Sequence, residues 1–412
     1  MGRNKETIFV QIASYRDPEL VPTLTSLLEN AKYPERLHIC IAFQYSEEDH
    51  FTKDIEIFSE DENITILRIP YKEAVSACWA RNKIQQEYKG ETYTLQLDSH
   101  HRFVPNWDEE CIKMLKGLQK QGYKKPLLTS YVPSYQPDKD PEGRAKEPWG
   151  MNFDRFTPEG IVFFLPYHIK EDIKDPIPAR FFSAHFAFTL GKHCEEVPHD
   201  PQFYFHGEEI TLAVRSFTHG YDLFHPNKII AYHEYTRNGR TKQWDDDPTW
   251  VNKNNVTHAR VRQLLGVDAE VCTPCNKNSF KKFGLGEVRT LKDYETYAGI
   301  RFSDRAITEH CSTYQTPPGS KDHEFISKFK HPLPVDVNRF NKNDYTFAAV
   351  ICEDENGKES FRRDYTSWNE MIKNKDLVIP IEANIKKPNK IIIWAYSKEE
   401  GWAERVDIPL NV

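Results

Sequence analysis

The first hundred residues alternate two hydrophobic rhythms. Thr7 to Ala13 (TIFVQIA) is a short continuous apolar run, and the segment after it places Leu20, Val21, Leu24, Leu27 and Leu28 on one helical face. The pattern predicts a strand feeding a helix. It recurs with LHICIAF at Leu37 to Phe43, ITILRI at Ile64 to Ile69, a helical AVSACWARNKIQQEY from Ala74, and YTLQL at Tyr93 to Leu97. Strands that are apolar on both faces and separated by helices pack as a mostly parallel sheet with right-handed crossovers. The expected class is α/β, Rossmann-like, and ligands of such sheets sit at the carboxyl ends of the strands. Two loops therefore come first: Ser14 to Asp17 (SYRD) after the first strand and Asp98 to Phe103 (DSHHRF) after the fourth.

Further along, EEITLAVRSF from Glu208 reads as a helix and KIIAYHEY from Lys228 as a strand. The polar, helix-leaning stretch 235–310 reads as a lid or flanking region, so that 1–310 forms one catalytic unit. Pro, Lys and Asp without periodicity mark 311–343 as a linker. Beyond it TFAAVICED, LVIPIEA, IIIWAYS and RVDIPL are short, closely spaced strands, which predict a small β-sandwich at 344–412.

A length of 412 residues suits two or three domains. The net charge of -7, from 55 Lys and Arg against 62 Asp and Glu, provides no positive field for a polyanion and argues against a nucleic-acid partner. No run approaches the ~18 apolar residues of a membrane helix, and the first ten residues lead straight into a strand without an apolar leader. The expectation is a cytoplasmic protein without an integral membrane segment. Eight cysteines are sparse, and Cys40 and Cys352 lie in apolar stretches, as expected in a reducing compartment. Cys272 and Cys275 form CTPC, which with His310 and Cys311 is a candidate zinc set; ordinary thiols are the alternative.

The chemistry concentrates in LQLDSHHRF. Asp98 and His100, two apart at a strand end, can offer one carboxylate oxygen and one imidazole nitrogen to Mg2+ or Mn2+, the imidazole tilting the preference toward Mn2+. The plainer alternative is an Asp capping the turn beside a surface His. His233 ends another apolar strand and would complete a three-ligand site, with neighbouring Glu234 as the alternative ligand. An ion held by three protein groups keeps positions open, and for Mg2+ or Mn2+ these are typically filled by substrate phosphates. Phosphate loops of the GxxxxGK[ST] and GxGxxG types are missing, which leaves the metal, Arg81 and Arg16 to meet the phosphate charge. His206, Glu208 and Glu209 open a helix. Carboxylates there can complement the helix dipole, accept hydrogen bonds from a sugar, or take a proton from an attacking hydroxyl.

Taken together, QIASYRDPEL, ACWARNKI, LQLDSHHRF, FHGEEITLAVR, IIAYHEYTR and KKFGLGEVRTLKDYETYAGI resemble, in order and over about residues 5–305, the glycosyltransferase family typified by the cytoplasmic Skp1-hydroxyproline N-acetylglucosaminyltransferases. The resemblance implies a GT-A fold, a UDP-GlcNAc donor, an Mn2+ or Mg2+ cofactor, retention of anomeric configuration, and a hydroxyl acceptor on a protein or glycan. It implies that Asp98 and His100, as an Asp-x-His motif, meet the metal and the UDP diphosphate, with His233 as the late ligand. Ser14, Tyr15 and Arg16 would line the uridine pocket, and Arg81, in C-W-A-R-N, would lie at the diphosphate or donor sugar. Ser99 and His206 join the nucleotide-sugar contacts, and Glu208 or Glu209 would touch donor or acceptor. The last 70 or so residues have no counterpart in the family pattern. Two readings from other classes stand beside this one. A metal-dependent nucleotide-sugar hydrolase or phosphoesterase would usually show denser His/Asp motifs. A carbohydrate-binding protein is suggested by Trp368, Trp394 and Trp402, although such residues in a small sandwich are more often core.

Overall fold

The computed structural model describes residues 6–170, 172–236, 239–268, 280–319 and 324–410. The chain divides into two compact units, Met1–Ser303 with His310–His323, and Asp304–Glu309 with Glu324–Val412.

The apolar runs of the first unit become β1 (Ile8–Tyr15), β2 (Leu37–Tyr45), β3 (Ile64–Pro70) and β4 (Tyr93–Asp98). They lie side by side as β3-β2-β1-β4, all parallel. The connecting helices are α1 (Leu20–Asn30) and α2 (Ala77–Gln85), followed by α3 (Trp107–Lys120). Residues alternate along β1 between two apolar layers, which explains the unbroken run. Ile8, Val10 and Ile12 pack with Leu24 and Leu27 of α1 and Leu115 and Leu118 of α3, while Phe9 packs with Cys40, Ala80 and Ile84 on the other side. Each of the Ile, Val, Leu and Phe side chains contributes about 1.5–3 kcal/mol by leaving water.

Two short strands, β5 (His101–Phe103) and β6 (Pro126–Thr129), precede a hairpin of β7 (Trp149–Phe156) and β8 (Val162–His168). The large sheet is completed by β6, β9 (Ile177–Pro178), β10 (Phe186–Leu190) and β11 (Asp222–His225) in the order β4-β10-β6-β11-β9. Strand β10 runs antiparallel to both neighbours, so the sheet is parallel through its first four strands and mixed beyond. A short α4 (His193–Glu196) leads to α5 (Glu208–Thr218), the helix expected from Glu208.

The run KIIAYHEY holds the expected strand ending at His233, but a shorter one. Only β12 (Ala231–His233) is a strand, and it pairs antiparallel with β5 in a separate two-stranded ribbon, with His233 opposite His101. The flanking stretch is helical, with α6 (Gln243–Asp246), α7 (Trp250–Leu265) and α8 (Leu291–Ala298). Thr290 caps α8 reciprocally with Asp293, and Gly299 ends it at φ 68°.

The second unit contains β13 (Phe329–Pro334), β14 (Tyr345–Glu353), β15 (Glu359–Tyr365), β16 (Val378–Ala383), β17 (Lys390–Ser397), β18 (Gly401–Trp402) and β19 (Val406–Pro409). Strands β13 and β16 pair with each other, and the other five form an antiparallel sheet. Leu333, Ile379 and Ile381 of the pair share one core with Val350, Ile391, Ile393 and the fully buried Trp368. The expected linker at 311–343 is therefore corrected: β13 lies inside it, and Leu333, Val335 and Phe340 are core. Pro332 and Pro334 hid the strand, since proline donates no ladder hydrogen bond and marks sheet edges. The tryptophans are corrected in part. Trp368 is core, whereas Trp402 stays 42% exposed beside Trp394. Among the described residues no helix is long and apolar enough to cross a membrane.

Candidate active site

Strand β4 ends at Asp98, and the chain turns through Ser99 and His100 into β5. Because β12 pairs with β5, His233 is carried to the same place. One ligand atom each from Asp98, His100 and His233 lies within 4.8 Å of the others. Asp98 Oδ2 is 3.8 Å from His100 Nε2 and 3.7 Å from His233 Nε2. The other carboxylate oxygen, Oδ1, accepts from the guanidinium of Arg81 on α2.

Each of the three could ligate a metal ion. Asp17, in the loop after β1, accepts from His100 Nδ1 at 2.8 Å. A carboxylate can only accept, so Nδ1 carries a proton and Nε2 is the ring nitrogen turned toward Asp98. Burial would raise the Asp98 carboxyl, but Arg81, then His233 and His100, hold it well below the usual carboxylate range. Burial pushes His233 well below the ordinary imidazole value, so it is neutral as a ligand must be. Both ring nitrogens of His233 are buried without a hydrogen-bond partner. Leaving such a group unsatisfied costs about 1–3 kcal/mol, which a cation at this point would offset. A carboxylate oxygen with two imidazole nitrogens therefore fits a divalent ion of the Mn2+ kind.

The surroundings include residues that sequence reading did not single out. His185 stacks on His233 with centroids 4.2 Å apart, and Tyr235 meets the same ring at 4.3 Å. His185 sits in the apolar FFSAHFAF, where strand periodicity masks it; its Nε2 accepts from the Val132 N–H at 3.2 Å. Asp17 closed the SYRD loop but carried no signal of its partner. Arg240 bridges Asp17 at 3.1 Å and Glu234 at 3.1 Å. Glu234, the alternative ligand, is thus drawn into an ion pair.

The profile of the family described as Glycosyltransferase (GlcNAc) matches residues 7–62 and 50–304, which include the whole Asp98–His100–His233 cluster. The chain belongs to this family. It is a glycosyltransferase with a GT-A fold. Among solved structures it resembles GalNAc-T7 with UDP, GalNAc and Mn2+, at a TM-score of 0.51 and 14% identity over 100% of this chain and 73% of that one. Residues 1–349 of S. aureus TarS in complex with UDP-GlcNAc match at a TM-score of 0.41 and 10% identity, covering 63% of this chain and 65% of that one. Among curated proteins none matches the sequence.

In this glycosyltransferase the other expected site residues divide. Ser99 donates to Asp17 at 2.7 Å and so belongs to the cluster's support. Arg81 is buried, also donates to the Ala184 carbonyl, and lies 3.7 Å from Glu208. Arg16, at φ 45°, pairs with Asp49 at 2.7 Å and Asp246 at 2.9 Å, and the Tyr15 hydroxyl donates to Asp246 at 2.7 Å. Both arginines expected to meet phosphate thus already have carboxylate partners. The Ser14 hydroxyl is buried without a partner.

Glu208 accepts from the Cys78 thiol; burial raises its carboxyl against the pull of Arg81. Glu209 accepts from the Ala184 N–H at 2.9 Å and the Tyr131 hydroxyl at 3.1 Å, and burial pushes it up to about 7. His206 meets His258 at 3.3 Å and the Phe163 ring. Cys272 and Cys275 lie outside the described residues, and Cys311 is buried.

Proposed function

We propose that the enzyme moves N-acetylglucosamine from UDP-GlcNAc to a hydroxyl with retention of configuration, using Mn2+ or Mg2+ held by Asp98, His100 and His233. The observation that carries this is their convergence around His233, whose buried nitrogens lack partners. The family description names GlcNAc, and GalNAc-T7, which shares the fold, was crystallised with UDP and Mn2+. The ion would offset charge growing on the leaving diphosphate.

The chain's own residues do the rest. Asp17 orients His100, and Arg81 keeps Asp98 ionised. Ser14, Tyr15 and Arg16 stand at the carboxyl end of β1, where nucleotides bind in such sheets, and are assigned to the uridine. Glu209, with its carboxyl near neutrality, is assigned to holding or taking the acceptor proton; Glu208 is tied to Cys78 and Arg81. The acceptor is a hydroxyl of a protein hydroxyproline, serine or threonine, or of a glycan, in the cytoplasm. The unit around Met1–Ser303 is the catalytic one, and the C-terminal sandwich an accessory one.

The test offers UDP-GlcNAc, UDP-Glc and UDP-GalNAc with and without Mn2+ and measures UDP. Slow, Mn2+-dependent UDP release with UDP-GlcNAc preferred is expected. Release of inorganic phosphate would favour the hydrolase, and silence with every donor would favour a binding protein.

A further inference from the structure

Behind the Asp98 cluster lies a second group of ligand-type side chains. Cys78 stands in the first turn of α2, whose N-cap Ser76 accepts from the Trp79 N–H. Glu208 is the first residue of α5, made possible by Gly207 at φ 112°, where the backbone suits glycine. His199 comes from the segment between α4 and α5. One ligand atom from each lies within 4.8 Å of the others, and all three residues are buried. They line a small cavity with Asp200, Thr211 and Arg215.

His199 is unusually well fixed for a core histidine. Its N–H donates to Gln85 Oε1 at 2.8 Å, and its carbonyl accepts from Asn82 Nδ2 at 2.8 Å. The ring Nε2 meets Gln96 Oε1 at 2.6 Å. Gln96 cannot flip, because its amide nitrogen donates to the Ala184 carbonyl at 2.8 Å. His199 Nε2 therefore carries the proton, and Nδ1 holds the lone pair. A fixed carbonyl behind an imidazole is how proteins orient a metal ligand.

We propose that Cys78, His199 and Glu208 form a second metal site, for a thiophilic divalent cation of the Zn2+ class. A sulfur, an imidazole nitrogen and a carboxylate oxygen match that class and not Mg2+ or Ca2+. Binding exchanges the Cys78 thiol proton, now donated to Glu208, for the ion; the proton leaves to solvent. Zn2+ with one thiolate and one carboxylate is neutral where the thiol and carboxylate carried -1, so binding adds one positive charge beside Arg81 and Arg215, which Asp98 on Arg81 and Asp200 near Arg215 offset. Arg215 is occupied by the Pro198 carbonyl at 2.8 Å. A tetrahedral ion needs ligand atoms roughly 3.3–3.8 Å apart, so with all of them within 4.8 Å no pair closes by more than about 1 Å, while the Cys78–Glu208 hydrogen bond opens to admit the ion. The fourth position opens to the cavity. Since Glu208 also lies 3.7 Å from Arg81, which bonds Asp98, the two sites share one arginine.

The test uses the full chain with Co2+ as the spectroscopic probe for Zn2+. A near-ultraviolet thiolate-to-cobalt band is expected, bleached by Zn2+, lost in Cys78→Ser and His199→Gln, and kept in Asp98→Asn and in the double variant Cys272→Ser/Cys275→Ser. No band in the wild type, or a band that survives in Cys78→Ser, overturns the proposal. If Cys78→Ser and His199→Gln lose their far-ultraviolet dichroism, zinc X-ray absorption on Cys272→Ser/Cys275→Ser decides. One sulfur neighbour supports the site, and a shell of nitrogen and oxygen alone overturns it.

Discussion

Asp17 Oδ2 and His100 Nδ1 lie 2.8 Å apart across 83 positions of sequence, and this one bond decides which nitrogen of His100 faces Asp98. Asp17 is itself buried, and although burial would raise its carboxyl, His100, Arg240 and Ser99 bring it below the usual value. It acts through His100 and is a positioning residue. Arg240 also touches His100 Nδ1, but a guanidinium only donates, so its carboxylate partners Asp17 and Glu234 account for its placement.

Asp17→Asn keeps the shape and weakens the acceptor. Mn2+ affinity should fall about 10–100-fold, the usual loss when a partner behind a ligand is removed, while far-ultraviolet dichroism stays unchanged. Calorimetric Mn2+ titration reads it, and wild-type affinity in this variant would show that His100 needs no such support.

Asp98→Asn removes the carboxylate of the proposed metal site and leaves Arg81 facing a neutral amide. Metal-dependent UDP binding should vanish, and glycosyl transfer with it, in a protein that still folds. His100→Ala and His233→Ala should lose or weaken the Mn2+ dependence in the same titration. Wild-type behaviour in all three would move the metal elsewhere.

His193 offers a pH signature outside the Asp98–His100–His233 cluster. Burial, with Arg215 nearby, pushes its imidazole down to about 3, and its Nε2 bonds the Ser216 hydroxyl at 2.9 Å. The unfolded chain therefore takes up this proton near pH 6.5 while the folded one does not. Its contribution is complete well above pH 6.5 and falls as pH drops toward 3, by about 2 kcal/mol between 6.5 and 4.5. Denaturant titrations across that range should show a shallower fall for His193→Gln than for the wild type; parallel curves would place the acid sensitivity in other groups.

Truncation should discriminate between two boundaries. Ending the chain after Asn343 strips β13 of its partner β16 and exposes Leu333, Val335 and Phe340. That fragment should aggregate, whereas one ending after His323 should stay monodisperse and release UDP from UDP-GlcNAc slowly. Light scattering and UDP detection compare them, and equal solubility would mean that β13 does not depend on the sandwich.

Local pattern by itself determined the elements around the site. The double-faced apolar runs of β1 to β4 and the one-sided leucines of α1 state their own burial, because side-chain period and hydrophobicity are properties of neighbouring residues. For the same reason DSHH at the end of β4 was legible as a candidate ligand pair. Tertiary structure alone decided the partners. KIIAYHEY read as another sheet strand, yet only β12 forms and it leaves the sheet to pair with β5, which delivers His233. Arg81 and Arg16 read as free cations, yet the fold seats each against carboxylates from distant segments. Asp17 and His185 carried no pattern, since the first acts through a hydrogen bond across the sheet and the second through ring stacking. The strand at Phe329–Pro334 stayed hidden because its prolines erase the local signal, and only pairing with Val378–Ala383 and burial of Leu333 make it a strand. Charge pairing, tautomer choice and edge-strand pairing depend on groups far apart in the chain, so no window of sequence contains them.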